Sequence, residues 1–235
     1  MSEPVTYLLE DSIATITMDD GKVNALSLRM LAALSAALDR AQRDKAIVVL
    51  AGRPGVFSAG FELPVLAAGG ADARKMLRSG FELAHKLLSF PTPIVAACSG
   101  HALALGAFLL LSSDYRIGTE GAFKIGANEV AIGLTMPRAA IQICRQRLAT
   151  THFDRSVINA EIYAPAAAVA AGFLDEVAAA EKLTAIARET AIRLAKLNLA
   201  AHAATKMRVR DATLGALSRA IEEDDEEFAA RMAGR

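Results

Sequence analysis

Two stretches of this chain share one form, an apolar strand pattern that runs into small residues and then into helical sequence. Ile47-Val48-Val49-Leu50-Ala51-Gly52 leads into Pro54-Gly55-Val56-Phe57-Ser58-Ala59-Gly60-Phe61-Glu62-Leu63. Pro93-Ile94-Val95-Ala96-Ala97-Cys98 leads into Ser99-Gly100-His101-Ala102-Leu103-Ala104-Leu105-Gly106-Ala107-Phe108, with helical sequence from Leu105 to Ser112. Unbroken apolar runs of this kind suit strands buried in a parallel layer, and strand-helix-strand order places them in an α/β architecture. A helix start leaves unpaired N–H donors and a positive dipole end, so two such starts facing each other can hold a developing negative oxygen. Taken alone, either segment reads as ordinary strand-to-helix packing, because small-residue turns are common punctuation.

The 235 residues allow one domain, or a domain with a helical extension, and 53% of them are hydrophobic, enough for a full core. Lys plus Arg equals Asp plus Glu at 26 each, leaving no net field to draw in nucleic acid or an anionic membrane surface. No uninterrupted apolar run reaches the ~18 residues of a membrane span. The cysteines, Cys98 in an apparent strand and Cys144 in a helical pattern, argue no disulfide framework, so a reducing cytoplasm is expected. Met1-Ser2-Glu3-Pro4 lacks the regions of a signal peptide, and Ala233-Gly234-Arg235 is not a peroxisomal address.

Val5 to Glu10 and Ser12 to Met18 read as a β-hairpin closed by the turn chemistry of Asp19-Asp20-Gly21. Ser27 stands where an N-cap belongs, and Leu28, Leu31, Leu34 and Leu38 follow at helical spacing to about Asp39. A helix is expected from about Asp72 to Ser89, a strand over Asp114 to Gly118, and mostly helix from Pro137 onward, interrupted by an apolar piece at Phe173 to Ala178. In the alanine-rich last third, helices are expected at about 165–171, 179–197, 200–219 and 221–232. The acidic run Glu222-Glu223-Asp224-Asp225-Glu226-Glu227 reads as a solvated helix face or helix start, with Phe228 and Met232 on the other side; a charge run alone makes no metal site.

The candidate acid or base is Glu129, in Lys124-Ile125-Gly126-Ala127-Asn128-Glu129-Val130-Ala131-Ile132-Gly133-Leu134. Set among Ile125, Val130, Ile132 and Leu134 its carboxyl would be partly desolvated, which raises its pKa toward the range where it both takes and gives a proton. The competing reading is an exposed helix-start glutamate beside Asn128.

The ordered set Val23-Asn24-Ala25-Leu26, Phe57 to Leu63, Gly100-His101-Ala102 through Gly106, Asp114-Tyr115-Arg116-Ile117, and Asn128-Glu129 with Gly133 resembles the crotonase superfamily, the enoyl-CoA hydratase/isomerase family, over roughly residues 5–178. The resemblance implies an α/β fold in which residues 1–178 form a crotonase-like spiral of ββα units. Residues 179–235 are then C-terminal helices that serve trimerisation and cover the CoA site. It implies an acyl-CoA thioester as ligand and a homotrimer or dimer of trimers as assembly. By position, the N–H groups of Phe61 and Leu105 correspond to the two oxyanion-hole donors, flanked by Ala59, Gly60 and Gly106; Leu105 stands where many relatives have glycine.

Hydratases of this family hold water between two glutamates. The first of those positions carries Phe108 here, and the second matches Glu129, so the resemblance points to a Δ3,Δ2-enoyl-CoA isomerase using a single glutamate. Efficient hydration is not expected of a phenyl ring. The implied chemistry takes a C2 proton from a 3-enoyl-CoA and returns it at C4, with no metal or redox cofactor, coenzyme A being part of the substrate. Phe108 is then expected to exclude water and pack on the acyl chain, or else to be a core aromatic. Lys22, Val23 and Ala25 match a segment that lines the CoA nucleotide in relatives, and Lys22 reads otherwise as an exposed turn lysine. Glu62 reads as a helix-start acid beside the first donor, with a lesser role in touching substrate, and Phe228 and Arg231 as candidates for a neighbouring subunit's CoA. His101 and His85 read as structural. The competing functions are an enoyl-CoA hydratase of fatty-acid β-oxidation, its missing acid supplied by Glu62, and a non-catalytic acyl-CoA binding protein.

Overall fold

A computed structural model describes residues 3–233, with side chains as far as residue 230. The termini and the side chains of Arg231 and Met232 lie outside the described residues. The chain opens with the hairpin β1 (Val5–Glu10) and β2 (Ile13–Met18), paired antiparallel. Next comes α1 (Leu28–Arg43), where the Ser27 hydroxyl accepts from Met30 N, as its N-cap position demands. Then β3 (Ile47–Ala51), β4 (Gly55–Ser58), α2 (Leu63–Ala68), α3 (Gly70–Leu88), β5 (Ile94–Cys98), β6 (Gly100–Leu103), α4 (Leu105–Leu111), β7 (Tyr115–Thr119) and β8 (Ile125–Gly126) follow. The remainder is α5 (Arg138–Arg145), α6 (Thr150–Val157), α7 (Pro165–Ala171), β9 (Glu176–Ala178), α8 (Leu183–Ala195) and α9 (Leu199–Ala233). Among the described residues no helix is long and apolar enough to cross a membrane.

The large sheet runs β1-β2-β3-β5-β7-β9, parallel from β2 onward, and the small sheet runs β4-β6-β8, all parallel. Each pass of the chain therefore lays one strand in the large sheet and the next in the small one, and successive passes advance by one place in both. That is a spiral of mixed α/β units. The small-residue runs, read from the sequence as turns opening into helices, contain the strands β4 and β6. Their shortness and glycines hid a β pattern that the second sheet enforces by pairing.

The step from one sheet to the other leaves little room. A Cβ on Gly100 would stand 2.0 Å from the carbonyl carbon and oxygen of Gly55 and 2.6 Å from Val56 N, all backbone atoms that cannot swing away. Both faces of the large sheet are covered. Ile47, Val49, Val95, Ala97 and Ile117 pack on Leu183, Ala187 and Ala191 of α8, while Val48, Leu50, Ala96 and Cys98 face the main core with α1, α3 and α4. This two-sided burial is why β3 and β5 read as unbroken apolar runs.

Helix boundaries differ from expectation in several places, α8 for one spanning Leu183–Ala195 where 179–197 was expected. α1 runs on to Arg43, α3 begins at Gly70, and α9 is one helix where a break was expected near residue 220. Nothing at Ala220-Ile221 breaks a helix, and Leu214, Leu217, Ala220 and Ile221 are all buried, so one apolar stripe crosses the expected gap. α9 is anchored upstream by a buried charge cluster: Lys206 Nζ donates to Asp114 Oδ2 at 2.6 Å and to the carbonyls of Phe90 and Thr92, while Arg210 lies 3.0 Å from Asp114 Oδ1.

Gly100→Ala should therefore destabilise the fold by at least about 3 kcal/mol, because overpacking here meets backbone. For a domain of this size that is a fall in melting temperature of roughly 6–12 °C, read by calorimetry. A melting temperature within 2 °C of wild type would show that the crossing is looser than its geometry.

Candidate active site

The two strand-turn-helix segments meet back to back. Gly60, at φ +90°, is so placed that a Cβ on it would lie 2.7 Å from Ala104 Cβ, 3.0 Å from Leu103 O and 3.3 Å from Leu105 N. A Cβ on Gly106 would lie 2.4 Å from Ser58 O. Each glycine thus clears the way for the other segment, which brings Phe61 and Leu105 side by side. Among the described residues neither Phe61 N nor Leu105 N has an acceptor. Leu105 opens α4, so its N–H has no intrahelical partner. Ala104 just before it is held at φ 50°, ψ −127°, a strained conformation for a residue with a Cβ and one that sets the direction of the Leu105 N–H.

The loop from Asp19 to Leu26 fixes the first segment. Asp20 Oδ1 accepts the N–H groups of Lys22 and Asn24, and its Oδ2 that of Ala25. Asn24, fully buried, donates to Met18 O and Phe57 O, while Ser58 Oγ donates to Asn24 O and accepts from Gly60 N. Backbone bonds from Ala59 N to Val23 O and from Leu26 N to Gly60 O complete the staple.

The side chain of Leu105 finds its space on α3. It is fully buried, and with the Phe61 ring it occupies the place a Cβ would take at Gly80, 2.6 Å from Leu105 Cδ2 and 2.5 Å from Phe61 Cε1. A glycine in the middle of a helix costs up to about 1 kcal/mol, and here it makes room for a leucine at the donor position.

Glu129 borders the same cavity as Phe61 and Ala104, at the start of a 3₁₀ turn, Val130–Ile132, that follows β8. It is only 6% exposed, and its Oε2 and the Asn128 Oδ1 are buried polar atoms without a partner among the described residues. Burial pushes the carboxyl from 4.5 up to about 7. The source of that burial differs in part from expectation. Val130, Ile132 and Leu134 are each more than 40% exposed, although Ile132 and Leu134 border the cavity, and the enclosure comes largely from residues distant in sequence.

That cavity has a volume of 520 Å³, and Ala59, Phe61, Ala104, Asn128 and Glu129 share its wall. The rest was not foreseen residue by residue. α3 contributes Arg74, Leu77, Arg78 and Phe81, a helical face at i, i+3, i+4, i+7 spacing, and α9 contributes Ile221 and Phe228. Charged residues on that face masked it as a lining stripe. The acidic run on α9 is a solvated face only in part: Glu222, Glu223 and Glu226 are exposed, while Asp224, Asp225 and Glu227 are half-buried against the body. Arg74 holds Asp225 through two 2.7 Å bonds, Arg78 holds Glu222 at 2.6 and 2.8 Å, and Arg138 pairs with Asp224 and Glu227. The run closes the outer side of the cavity by clasping α3 and α5.

Phe108 is fully buried and does not line the cavity; it stacks behind Phe81, with ring centroids 6.4 Å apart. Phe81 is the ring that faces the space, so Phe108 is a core aromatic that backs the wall. Glu62 caps α2 by its backbone and does not border the cavity, nor do Lys22, Val23 and Ala25, which lie on the stapled loop beside Ala59 with Lys22 exposed. Gly60 and Gly106 lie beneath the wall as spacers. His101 accepts from Lys124 N, and His85 bonds Ser218 on α9, as structural histidines do.

The chain matches the model of the family described as "Enoyl-CoA hydratase/isomerase" over residues 9–233. It is similar to the crystal structure of an enoyl-CoA hydratase/isomerase family protein from Pseudomonas syringae, at 48% identity and a TM-score of 0.94, covering 96% of this chain and 98% of that one. It is similar to a Mycobacterium tuberculosis protein described in one structure as an enoyl-CoA isomerase (48% identity, TM-score 0.92, over 98% and 99% of the two chains) and in another as a probable enoyl-CoA hydratase (47% identity, TM-score 0.94, over 99% and 100%). A probable enoyl-CoA hydratase of Mycobacterium avium is 30% identical over 187 residues, 76% of this chain and 72% of that protein.

Two outcomes follow from the geometry. The native state holds the Glu129 proton more tightly than the unfolded chain does between pH 4.5 and about 7, so stability falls as pH rises through that window. Glu129→Gln should therefore be more stable than wild type by up to about 3 kcal/mol at pH 8, with the difference fading toward pH 4.5, in urea unfolding at the two values. A constant difference would mean that the carboxyl is not desolvated. Separately, Gly80→Ala should destabilise by about 1–3 kcal/mol, and Leu105→Gly in the same chain should recover part of that loss in a double-mutant cycle. Strict additivity would show that the two residues do not share the space.

Proposed function

The chain belongs to the enoyl-CoA hydratase/isomerase family, and from that premise we propose that it moves a proton within an unsaturated acyl-CoA thioester, converting a 3-enoyl-CoA into the conjugated 2-enoyl-CoA. The observation that carries this reading is a single buried carboxyl, Glu129, on the wall of a cavity that Phe61 and Ala104 also border, where the N–H groups of Phe61 and of Leu105, next after Ala104, have no acceptor among the described residues. The position where a second glutamate would complete a hydratase pair is Phe108, wholly enclosed in the core.

In the proposed reaction Glu129, as carboxylate, takes a proton from C2. The electron pair passes into the conjugated system, and the thioester oxygen becomes the dienolate oxygen held by Phe61 N–H and Leu105 N–H. The carboxylic acid so formed returns its proton at C4, and the double bond settles between C2 and C3. A carboxyl that titrates near 7 suits both halves, since neither protonation state is far from the working pH. Losing one N–H donor would cost about 3 kcal/mol of activation free energy. The scheme calls for no metal or redox group. The loop of Lys22, Val23 and Ala25, stapled beside Ala59, is where we place the nucleotide end of the coenzyme.

A second reading, hydration of a 2-enoyl-CoA, draws on Asn128. Its buried Oδ1 is a second acceptor on the same wall as Glu129, and a water that donates to both would be oriented there. An amide holds water but does not take its proton, which is why isomerisation is preferred.

The purified protein should raise the conjugated-thioester absorbance when given a 3-enoyl-CoA, with kcat/KM rising as pH passes through about 7. Glu129→Gln should lower that rate by about 10²–10⁴-fold. Prompt formation of a 3-hydroxyacyl-CoA from a 2-enoyl-CoA, faster than isomerisation, would favour the second reading. Tight binding of acyl-CoA with neither reaction would favour a binding protein.

A further inference from the structure

Glu129 hangs between one firm anchor and one borrowed from elsewhere in the chain. Upstream, Ile125 in β8 exchanges two 2.9 Å backbone bonds with Tyr163, and Ile125, Gly126 and Ala127 are buried. Downstream, residues 130–135 are all exposed, and the backbone turns through Gly133 at φ 81° before it enters α5. Among the described residues its backbone hydrogen bonds within that stretch go to the Asn128, Glu129 and Val130 carbonyls, which shape the turn without tying it to the body. The next fixed points are Met136, buried in the main core, and directly after it the start of α5.

α5 does not cap itself. Pro137 at its N-cap offers no side-chain acceptor. The first N–H groups of the helix are taken instead by Asp224 of α9: Arg138 N donates to Oδ1 at 3.0 Å and Ala139 N to Oδ2 at 2.9 Å. One carboxylate thus satisfies two orphan donors and meets the positive end of α5. The Arg138 guanidinium lies 3.3 Å from the same Oδ1, which steadies the carboxylate from the other side.

We propose that Asp224 is a positioning residue for the Glu129 carboxyl, acting through the anchored start of α5, and that it makes the base's placement depend on the docking of the C-terminal helix. The proposal rests on reading Glu129 as the base. α9 is held to the body independently by Leu214, Leu217 and Ile221 and by the Arg78–Glu222 pair, so removing the Asp224 carboxylate loosens the 130–137 segment, leaving it buried Met136 alone as anchor, without releasing the helix. Proton transfer between carbons needs the carboxyl placed to well within an ångström, and misplacement of about 1 Å can lower a rate by about 10²-fold.

The experiment compares wild type with Asp224→Ala, Asp224→Asn and Glu222→Ala in two measurements, steady-state isomerisation of a 3-enoyl-CoA and amide hydrogen exchange over residues 128–140. Asp224→Ala should lower kcat by roughly 10- to 100-fold with KM changed less than about threefold, and should speed exchange in that segment. Asp224→Asn, which keeps one acceptor oxygen, should recover at least half of the loss on a logarithmic scale. Glu222→Ala, which breaks one of the pairs that clasp α9 but leaves the Asp224 bonds to α5 in place, should lower kcat by less than Asp224→Ala does and speed exchange less. Unchanged exchange in Asp224→Ala would overturn the proposal, as would equal loss of kcat in Glu222→Ala. A wild-type protein that fails to isomerise would overturn the base reading instead, and the exchange data would still decide whether Asp224 anchors the segment.

Discussion

The site depends on one close approach, the reciprocal packing of residues 58–61 against residues 103–106. Gly60 admits Ala104 and Leu105, and Gly106 admits Ser58, so neither segment can move without the other. The small sheet exists to make this approach regular: β4, β6 and β8 pair in parallel, and their ends deliver Ala59, Phe61 and Ala104 to the cavity wall near Asn128 and Glu129. The cost appears at Ala104, whose positive φ is strained by about 1–3 kcal/mol and is tolerated because paired strand and helix hold it on either side. Strain at that residue gives direction to an N–H that in a continuing strand would point sideways toward a neighbouring strand.

Desolvation of Glu129 is the second cost, borne at the wall of the same cavity. A carboxyl lifted to about 7 is a group the fold would rather protonate, so the protein is less stable at neutral pH than it would be with a neutral side chain. Polar atoms left without partners are rare in buried positions, and here two of them, on Asn128 and Glu129, share the wall of one cavity. A packed core has no reason to keep such a pair. A cavity that receives a ligand does.

Much of this was legible in the chain, and the limits have physical causes. β3 and β5 were visible because strands buried on both faces spell unbroken apolar runs, and α1 because Ser27 and a leucine stripe mark its start and face. β4 and β6 were not, since four-residue strands built around glycines have no period to detect, and their identity comes from pairing with partners 45 residues away. Glu129 was legible as a candidate from its apolar setting, yet Val130, Ile132 and Leu134 turn out largely exposed, and the desolvation is supplied by tertiary structure. Phe108 marked the missing acid by position, whereas only the structure shows Phe81 standing between it and the cavity.

The acidic run on α9 carries the same lesson further. Six consecutive acidic residues have the composition of a solvated surface, and nothing local says otherwise. Their partners, Arg74 and Arg78 on α3 and Arg138 on α5, are scattered through the chain, and only the spiral brings the three arginines to one rim. Exposed ion pairs of this kind each add little stability, about 0–1 kcal/mol, so their value lies in geometry rather than in strength. A clasp of weak, directional pairs over the cavity sets the orientation of a helix that Leu214, Leu217 and Ile221 already hold in the core. An apolar seam of equal length would hold the helix more tightly and would offer the start of α5 no acceptor for its orphan donors.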